Sequence, residues 1–455
     1  MSAEPRLVIV GAGATGLGAA WRLQELGYRN WVLYEAAGHA GGLASSVVDD
    51  YGFTWDLGGH VLFSHYKYFD DVMDTALGDQ WVEHVREAWV WIRDRWVPYP
   101  FQNNIWRLPN EEMLACLSGL VDLQGAQREK ARSFREWLLN SFGAGLCDTF
   151  MFPYNRKVWA YDPSRLDVGW MGERVATVDL KRILTNVVLR RDDVSWGPNS
   201  TFRFPLHGGT GAIWRAVAAR LPAAQLHFNR DVAQVDLEKK QLTMSDGEPV
   251  SYDVLISTMA LDQLLRTIHN RPDLAKMASQ FVYSSSHIIG VGMTGTQRDD
   301  LLTKCWIYFP EDKVPFYRAT VFSNYSPNNV PTSTPHWSLM AEVSESPDKP
   351  VEQARVVADV IAGFLSCGFI DPATIVTSWH RRLDHGYPTP WLGRDAVLNP
   401  VEETLRAASV LSRGRFGAWK YEVSNQDHSF MQGVEAVNNI LNGAREPTFG
   451  GSESG

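Results

Sequence analysis

"RLVIVGAGATGLGAAWRLQELG", residues 6–27, decides the architecture of this 455-residue chain. Leu7 to Val10 are four apolar residues without alternation, as a strand buried on both faces requires. Gly11, Gly13 and Gly16 follow at G-x-G-x-x-G spacing. The first permits a tight turn, the second lets the backbone approach a pyrophosphate, and the third packs a helix against the strand. That helix offers free N–H groups and the positive end of its dipole to phosphate, and Gly27 after Leu26 stops it. A second strand, "WVLYE", ends at Glu35, whose carboxylate can accept hydrogen bonds from a ribose diol. Strand, turn, helix, strand and terminal acid in that order predict a Rossmann-like nucleotide-binding unit rather than a glycine turn without a ligand.

Downstream, "AAGHAGGLASS" carries the pair Gly41-Gly42, and "DLGGHVLF" carries Gly58-Gly59 followed by His60. Repeated glycine pairs mean repeated close approach of the backbone to an extended ligand, which suits FAD better than NAD. An acid followed by a glycine pair resembles the glutathione-reductase-type flavoproteins, amine oxidases among them. At the far end, "WKYEVSNQDHSFMQGVEAVNNILNG" (419–443) runs from a polar cluster into a helix. Asn425, Gln426 and Ser429 fall at the helix start, while Phe430, Val434, Val437 and Leu441 share one face, and Asn442-Gly443 closes it. A capped surface helix explains the stripe but not the polar density. The expectation is that this helix start faces the cofactor.

Between these ends, residues 103–194 are helical in pattern, with Phe134, Trp137, Leu138 and Phe142 at helical spacing. From 283 to 343, strand-like runs such as "HIIGVGM" and "HWSLMAEVS" predict an antiparallel sheet. "VAQVDLEKKQLTMSDGEPVSYDVLISTMA" reads as a hairpin turning at Asp246-Gly247, then a strand that returns to the nucleotide unit with Val232 near the cofactor. The fold expected is α/β, a Rossmann-like FAD-binding domain of glutathione-reductase type interleaved with a helical domain and an antiparallel β-sheet domain. The FAD-binding domain takes 1–85, 200–270 and 408–447, the helical domain 103–199, the sheet domain 86–102 and 271–407. Residues 448–455 are expected to be a disordered tail.

A net charge of -9 disfavours nucleic acid and anionic lipid as partners. Cys116, Cys147, Cys305 and Cys367 are scattered, so neither a disulfide framework nor a metal site is expected. No run resembles a signal peptide or spans a bilayer, and a reducing, cytoplasmic setting with no membrane partner is the simplest expectation. Oligomeric state has no signal in the sequence.

Nine stretches carry a resemblance: "GGHVLFSHYKYFDD", "WVPYPFQNNI", "PYNRKVWA", "GWMGERVA", "FPLHGGTGAIW", "KCWIYFPED", "FYRATVFSNYS", "HRRLDHGYPTP" and "YEVSNQDHSFMQGVEAV". Together they resemble the UDP-galactopyranose mutases, the eukaryotic, fungal-type branch more than the bacterial. The resemblance implies an isomerase that interconverts UDP-galactopyranose and UDP-galactofuranose with reduced FAD and no net redox change. It implies that flavin N5 attacks the anomeric carbon as UDP departs, and that UDP returns after the ring has reclosed; NADPH is the implied reductant.

The same resemblance implies site residues. Arg174 and Arg318 match diphosphate clamps, a task for which a guanidinium suits because it stays charged and binds oxygens in pairs. Tyr325, Tyr387, Tyr421 and Asn425 match positions that hold the diphosphate, and Asn199 one that contacts the sugar. His60 matches the histidine beside the flavin, positioning it or tuning N5, and Arg415 lies beside it. Tyr99, Phe101, Gln102, Met151, Tyr154, Asn155 and Trp159 match the uridine site. Three residues depart from the pattern. Phe152 and Arg156 stand where relatives carry Arg and Phe, and Ser424 replaces a glycine, which strains the backbone if φ is positive there. Lids that exclude water are expected in "WMGERVA" and "SWGPNS". Rival readings are an FAD oxidase of the amine-oxidase superfamily, a mutase for another nucleotide sugar, and a non-catalytic UDP-sugar- or flavin-binding protein on the same fold.

Overall fold

Leu7–Val10 lies third in a five-stranded sheet, between Val254–Ser257 and Trp31–Tyr34, with Val410–Ser412 and Leu226–His227 at the edges. Every pair in it is parallel, and all four central residues of Leu7–Val10 are buried. That burial is why the strand reads as a continuous apolar run. The computed structural model describes residues 4–125, 127–171, 175–194 and 200–450.

The helix Ala14–Glu25 leaves the glycine turn and packs along the closing helix Gln426–Asn442. Their approach is close enough that a Cβ at Gly433 would stand 2.0 Å from the Thr15 carbonyl oxygen. Phe430, Val434 and Val437 are at most 3% exposed, each contributing about 1.5–3 kcal/mol of apolar burial. The helices Ala14–Glu25 and Gln426–Asn442 thus form one layer on the parallel sheet.

Val232–Asp236, Gln241–Met244 and Pro249–Ser251 form a three-stranded meander, with the expected turn at Asp246-Gly247 joining the last two. The larger sheet has seven strands, in the order Ile375–Pro388, Tyr283–Thr294, His336–Glu345, Arg318–Val321, Trp306–Tyr308, Ala88–Ile92 and Arg95–Pro98. It is antiparallel, as expected, except at one junction, where Trp306–Tyr308 runs parallel to Ala88–Ile92. The helix Val356–Ser366 covers one face through Val356, Val360 and Phe364.

The helical unit departs from its periodicity at one point. The helix Phe134–Leu146 is broken at Gly143 (φ +73°), and a π-turn, Cys147–Met151, leads into the helix Phe152–Trp159. Gly143 sits against the backbone of Gly119, where a Cβ would stand 2.4 Å from the carbonyl oxygen. Among the described residues no helix is long and apolar enough to cross a membrane.

The tail expected from residue 448 begins too early. Pro447–Gly450 is helical, and Thr448 is buried, donating its N–H (2.9 Å) and hydroxyl (2.7 Å) to Glu435. Tyr66 and Thr448 share a further hydroxyl contact at 3.0 Å. Thr448→Val, which keeps the shape and removes the hydroxyl, should cost about 1–3 kcal/mol because it leaves the Glu435 carboxylate short of a donor. Chemical denaturation of flavin-loaded protein measures this; an unchanged midpoint would show that the segment is not anchored there.

Candidate active site

A cavity of about 880 Å³ opens between the two large sheets. Its floor comes from the carboxyl ends of four parallel strands, at Gly11, Glu35, Thr258 and Gly414. Its wall comes from the seven-stranded sheet, at Ser286, Arg318, Thr320, Glu342 and Tyr387. Ligands of open α/β sheets bind at this end, outside the strand termini.

The nucleotide end is a cradle of backbone. Gly11 takes φ +103°, and a Cβ there would stand 2.0 Å from Thr258 Oγ1, so only glycine makes the turn. The two oxygens of Glu35 accept from the N–H groups of Ala12 (2.6 Å) and Ala37 (2.7 Å), which fixes the carboxylate at the strand end with lone pairs left for a ribose. A Cβ on Gly42 would come within 3.3 Å of Gly13 Cα, so the second glycine pair folds back onto the first turn. Opposite them, Asn425 begins the closing helix without capping it by its own side chain. Gln426 is held by the Trp214 indole, which donates to its Oε1 at 2.9 Å. Two helix starts and two glycine turns around one elongated space fit an FAD molecule.

At the other end the side chains are charged, with Glu342 buried and Arg318 and Arg415 half-buried. Arg318 grips Glu342 through Nε (2.8 Å) and Nη2 (2.9 Å). Glu342 also accepts from the Gly59 N–H at 3.0 Å and the Tyr317 hydroxyl at 2.6 Å. Burial works against the charge of Glu342, but Arg318 and these donors outweigh it and hold the carboxyl below its ordinary range. Arg318 is correspondingly held fully charged. Arg415 donates to the Gly386 carbonyl (3.1 Å) and the Ser424 hydroxyl (2.8 Å), with its guanidinium 4.8 Å from the Tyr387 ring centre. The phenols of half-buried Tyr99, Tyr308 and Tyr387 and of buried Tyr325 are all pushed up by desolvation, so they act as neutral donors.

His60 stands among these groups, with a buried Nδ1 that has no hydrogen-bond partner among the described residues. Burial pushes its imidazole down to about 4; the charges of Arg415 and Arg318 push the same way, and Glu342 opposes them. The ring is therefore neutral at physiological pH, which fits positioning rather than proton transfer. The sign of its effect on stability follows from the unfolded value of 6.5: as pH falls from 6.5 to 4, the unfolded chain takes up a proton before the native one, and stability is lost. The loss is about 3 kcal/mol at 1.36 kcal/mol per unit. Buried Asp56 acts oppositely, since burial raises it to about 6 against the bonds from Ser46 and Thr210, and acidification from 6 to 3.8 adds stability. The comparison that isolates His60 is wild type against His60→Gln. Wild type should lose about 3 kcal/mol more than the variant between pH 7 and 4; identical pH dependences would refute a neutral, buried His60.

Most of the residues singled out from sequence meet in this cavity. Gly11, Gly13, Glu35, Gly42, Gly59, His60, Val232, Arg415, Asn425, Gln426 and Ser429 line it, as do Tyr99, Arg318, Tyr325, Tyr387 and Tyr421. Gly16 does not; a Cβ there would stand 1.8 Å from the Gly11 carbonyl oxygen, so its role is helix-to-strand packing. Arg174 and Asn199 lie outside the described residues, as do parts of both expected lids. Six candidates for uridine are not among the residues that line it: Phe101, Gln102, Met151, Tyr154, Asn155 and Trp159. Phe101 and Tyr154 stack on either side of Phe150, at 4.5 and 5.1 Å between ring centres. Gln102 donates to the Ala176 carbonyl (2.7 Å), and Asn155 to that of Met151 (2.8 Å). Tyr154 meets the lining at Tyr308 (5.2 Å), and Trp159 meets it at Tyr421 (4.8 Å). Phe152 carries the Arg135 guanidinium 3.9 Å from its ring centre, so the exchanged aromatic is used in a cation–π contact. Ser424 takes φ −119°, and the strain expected there does not arise.

Sequence reading missed Glu342, Tyr308, Ser286 and Thr320, all of which line the cavity. Glu342 had a signal, a lone acid inside the apolar run "SLMAEVS". The Ser286 and Thr320 hydroxyls are buried without partners among the described residues, and nothing local in the sequence marks them.

A dinucleotide cradle that leads into an arginine–histidine pocket defines a flavin-binding protein. The family model described as flavin containing amine oxidoreductase matches residues 14–388. The chain is 52% identical to reduced UDP-galactopyranose mutase, with a TM-score of 0.95, 98% of this chain and 96% of that one being covered. It belongs to the flavin containing amine oxidoreductases and, within them, to the UDP-galactopyranose mutases. Two more distant structures share only the fold. A protein of Exiguobacterium sp. 255-15 described as a protoporphyrinogen oxidase is 18% identical (TM-score 0.69, 94% and 98% covered). A CLA-producing fatty acid isomerase of P. acnes is 15% identical (TM-score 0.65, 97% and 100% covered).

Proposed function

We propose that the chain interconverts UDP-galactopyranose and UDP-galactofuranose, with FAD in its reduced form and no net redox change. The observation that carries this reading is a permanently charged guanidinium, Arg318, fixed beside a neutral histidine in a flavin-binding cleft. Reduced flavin, when bound, supplies a nucleophilic nitrogen for the anomeric carbon. The chain supplies the rest. Glu342 occupies Arg318 Nε and Nη2 and leaves Nη1, which makes no bond among the described residues, for an oxygen of the departing diphosphate. Arg174 is the second clamp in this reading. Tyr325, Tyr387, Tyr421 and Asn425 donate to the same diphosphate without adding charge, and Asn199 orients the sugar.

Neutral His60 holds the flavin in place. Tyr99, Phe101, Gln102, Met151, Tyr154, Asn155 and Trp159 form the uridine end, a role that requires the Phe101–Phe150–Tyr154 stack to open toward the cavity. The segments "WMGERVA" and "SWGPNS" are the lids in this reading, excluding water from the substrate. We assign the chain to the eukaryotic, fungal-type branch on its motifs and place it in the cytoplasm. NADPH is the assigned reductant, a phosphorylated dinucleotide being suited to a cleft that Arg86, Arg318 and Arg415 line.

The test is to incubate dithionite-reduced, FAD-loaded protein with UDP-galactofuranose and with other furanosyl nucleotides, and to separate the products by chromatography. Conversion to UDP-galactopyranose supports the reading. Conversion of a different nucleotide sugar alone reassigns the substrate, and no conversion of any of them overturns the mutase assignment.

A further inference from the structure

We propose that His65, Asp427 and His428 form a binding site for one divalent transition-metal ion, of the zinc, cobalt or nickel type, at the rim of the flavin cleft. The three residues come from segments 362 positions apart, the loop after His60 and the first turn of the closing helix. Their ligand atoms all lie within 4.8 Å of one another. Asp427 is 1% exposed at the centre of the group. Its Oδ2 stands 2.8 Å from His65 Nδ1 and accepts from the His65 backbone N–H at 3.1 Å.

The second oxygen is what points to an ion. Asp427 Oδ1 and His428 Nδ1 face each other at 3.0 Å, yet neither has an aligned hydrogen bond among the described residues. A nitrogen and an oxygen that approach without a shared, aligned proton are arranged as two ligands of one cation would be. Two atoms each about 2.1 Å from an ion stand about 3.0 Å apart at the right angle of six-coordination, which suits cobalt or nickel, and about 3.4 Å apart at the tetrahedral angle of zinc, a widening of a few tenths of an ångström. Two neutral imidazoles and one carboxylate suit a borderline metal, and leave it one net positive charge and open positions for water. Entry is available because the His65 side chain is 40% exposed. His65 and His428 both line the cavity. An ion here would join the loop that carries His60 to the helix start that carries Asn425 and Gln426, stiffening two walls of the cleft at once.

The experiment is calorimetric titration of tag-free, chelator-stripped, FAD-loaded protein with ZnCl₂, beside His65→Ala and His428→Gln variants, with a thermal scan of each. The expected result is one equivalent of Zn²⁺ bound by the wild type, a rise in its Tm, and affinity reduced tenfold or more in both variants. Because the His65 side chain is 40% exposed, His65→Ala tests the site even should His428→Gln fail to fold. No saturable binding by the wild type at millimolar ZnCl₂ would show the group to be a hydrogen-bonded triad only. Equal affinity in wild type and His65→Ala would place any bound ion elsewhere. Either result overturns the proposal.

Discussion

Replacing Arg318 by alanine should lower kcat/KM for the nucleotide sugar by a hundredfold or more. The estimate rests on a desolvated, preorganised donor to a departing diphosphate being worth about 3 kcal/mol in the transition state. A second effect follows from the ion pair. Arg318→Ala strands the Glu342 carboxylate, which is 2% exposed, and breaking a buried pair costs about 3–5 kcal/mol of stability. The two losses separate with further variants. Arg318→Lys keeps the charge but not the two parallel bonds, so it should recover most of the stability and only part of the rate. Arg318→Ala combined with Glu342→Gln removes the stranded charge and should restore stability without restoring turnover. Steady-state kinetics on flavin-loaded protein decide the matter: an Arg318→Ala variant within threefold of wild type would remove Arg318 from the chemistry.

Gly16→Val should nearly abolish flavin retention. A Cβ at Gly16 would stand 1.8 Å from the Gly11 carbonyl oxygen and 3.3 Å from Ile9 Cγ2. The first of these is backbone and cannot rotate away. The helix Ala14–Glu25 must then lift from its strand, and the N–H groups that would meet the pyrophosphate move with it. The ratio of flavin absorbance to protein absorbance in the purified variant should fall to a small fraction of the wild-type value, with a lower Tm. Gly27→Ala is the matched control. No atom lies within 4 Å of its Cβ, and the cost is that of a residue at φ +70° alone, about 1 kcal/mol. Full flavin content in Gly16→Val would contradict the packing role assigned to that glycine.

Legibility followed sequence distance. The nucleotide end could be read because its parts are consecutive: Gly11, Gly13, Gly16 and Glu35 span one strand–helix–strand unit, and each glycine has a single physical task. The start of the closing helix was legible because polar density at Asn425 and Gln426 exceeds what capping needs. The parallel junction was not, since Trp306–Tyr308 meets Ala88–Ile92 across more than two hundred positions and pairing direction leaves no local mark. The break at Gly143 lies inside a run whose apolar spacing continues unbroken through it, so periodicity hides the π-turn. For the uridine candidates, residue type predicts aromatic packing but not which ring faces the cleft. Phe150, which lies between Phe101 and Tyr154, was not distinguished from them. The Asp427 group, assembled from both ends of the chain, carries no spacing pattern at all.

The central claim is that the bond between sugar and diphosphate breaks and re-forms reversibly in this cleft, and only when the flavin is reduced. Its most direct measurement uses UDP-galactopyranose labelled with ¹⁸O in the bridge between the anomeric carbon and phosphorus. If the diphosphate is released and returns, the label moves into non-bridging positions, which ³¹P NMR resolves. The account predicts migration with the reduced protein, none with the oxidised protein, and migration at least a hundredfold slower with Arg318→Ala, the same 3 kcal/mol or so of transition-state stabilisation. Ring contraction by the reduced protein with the label still wholly in the bridge would contradict it.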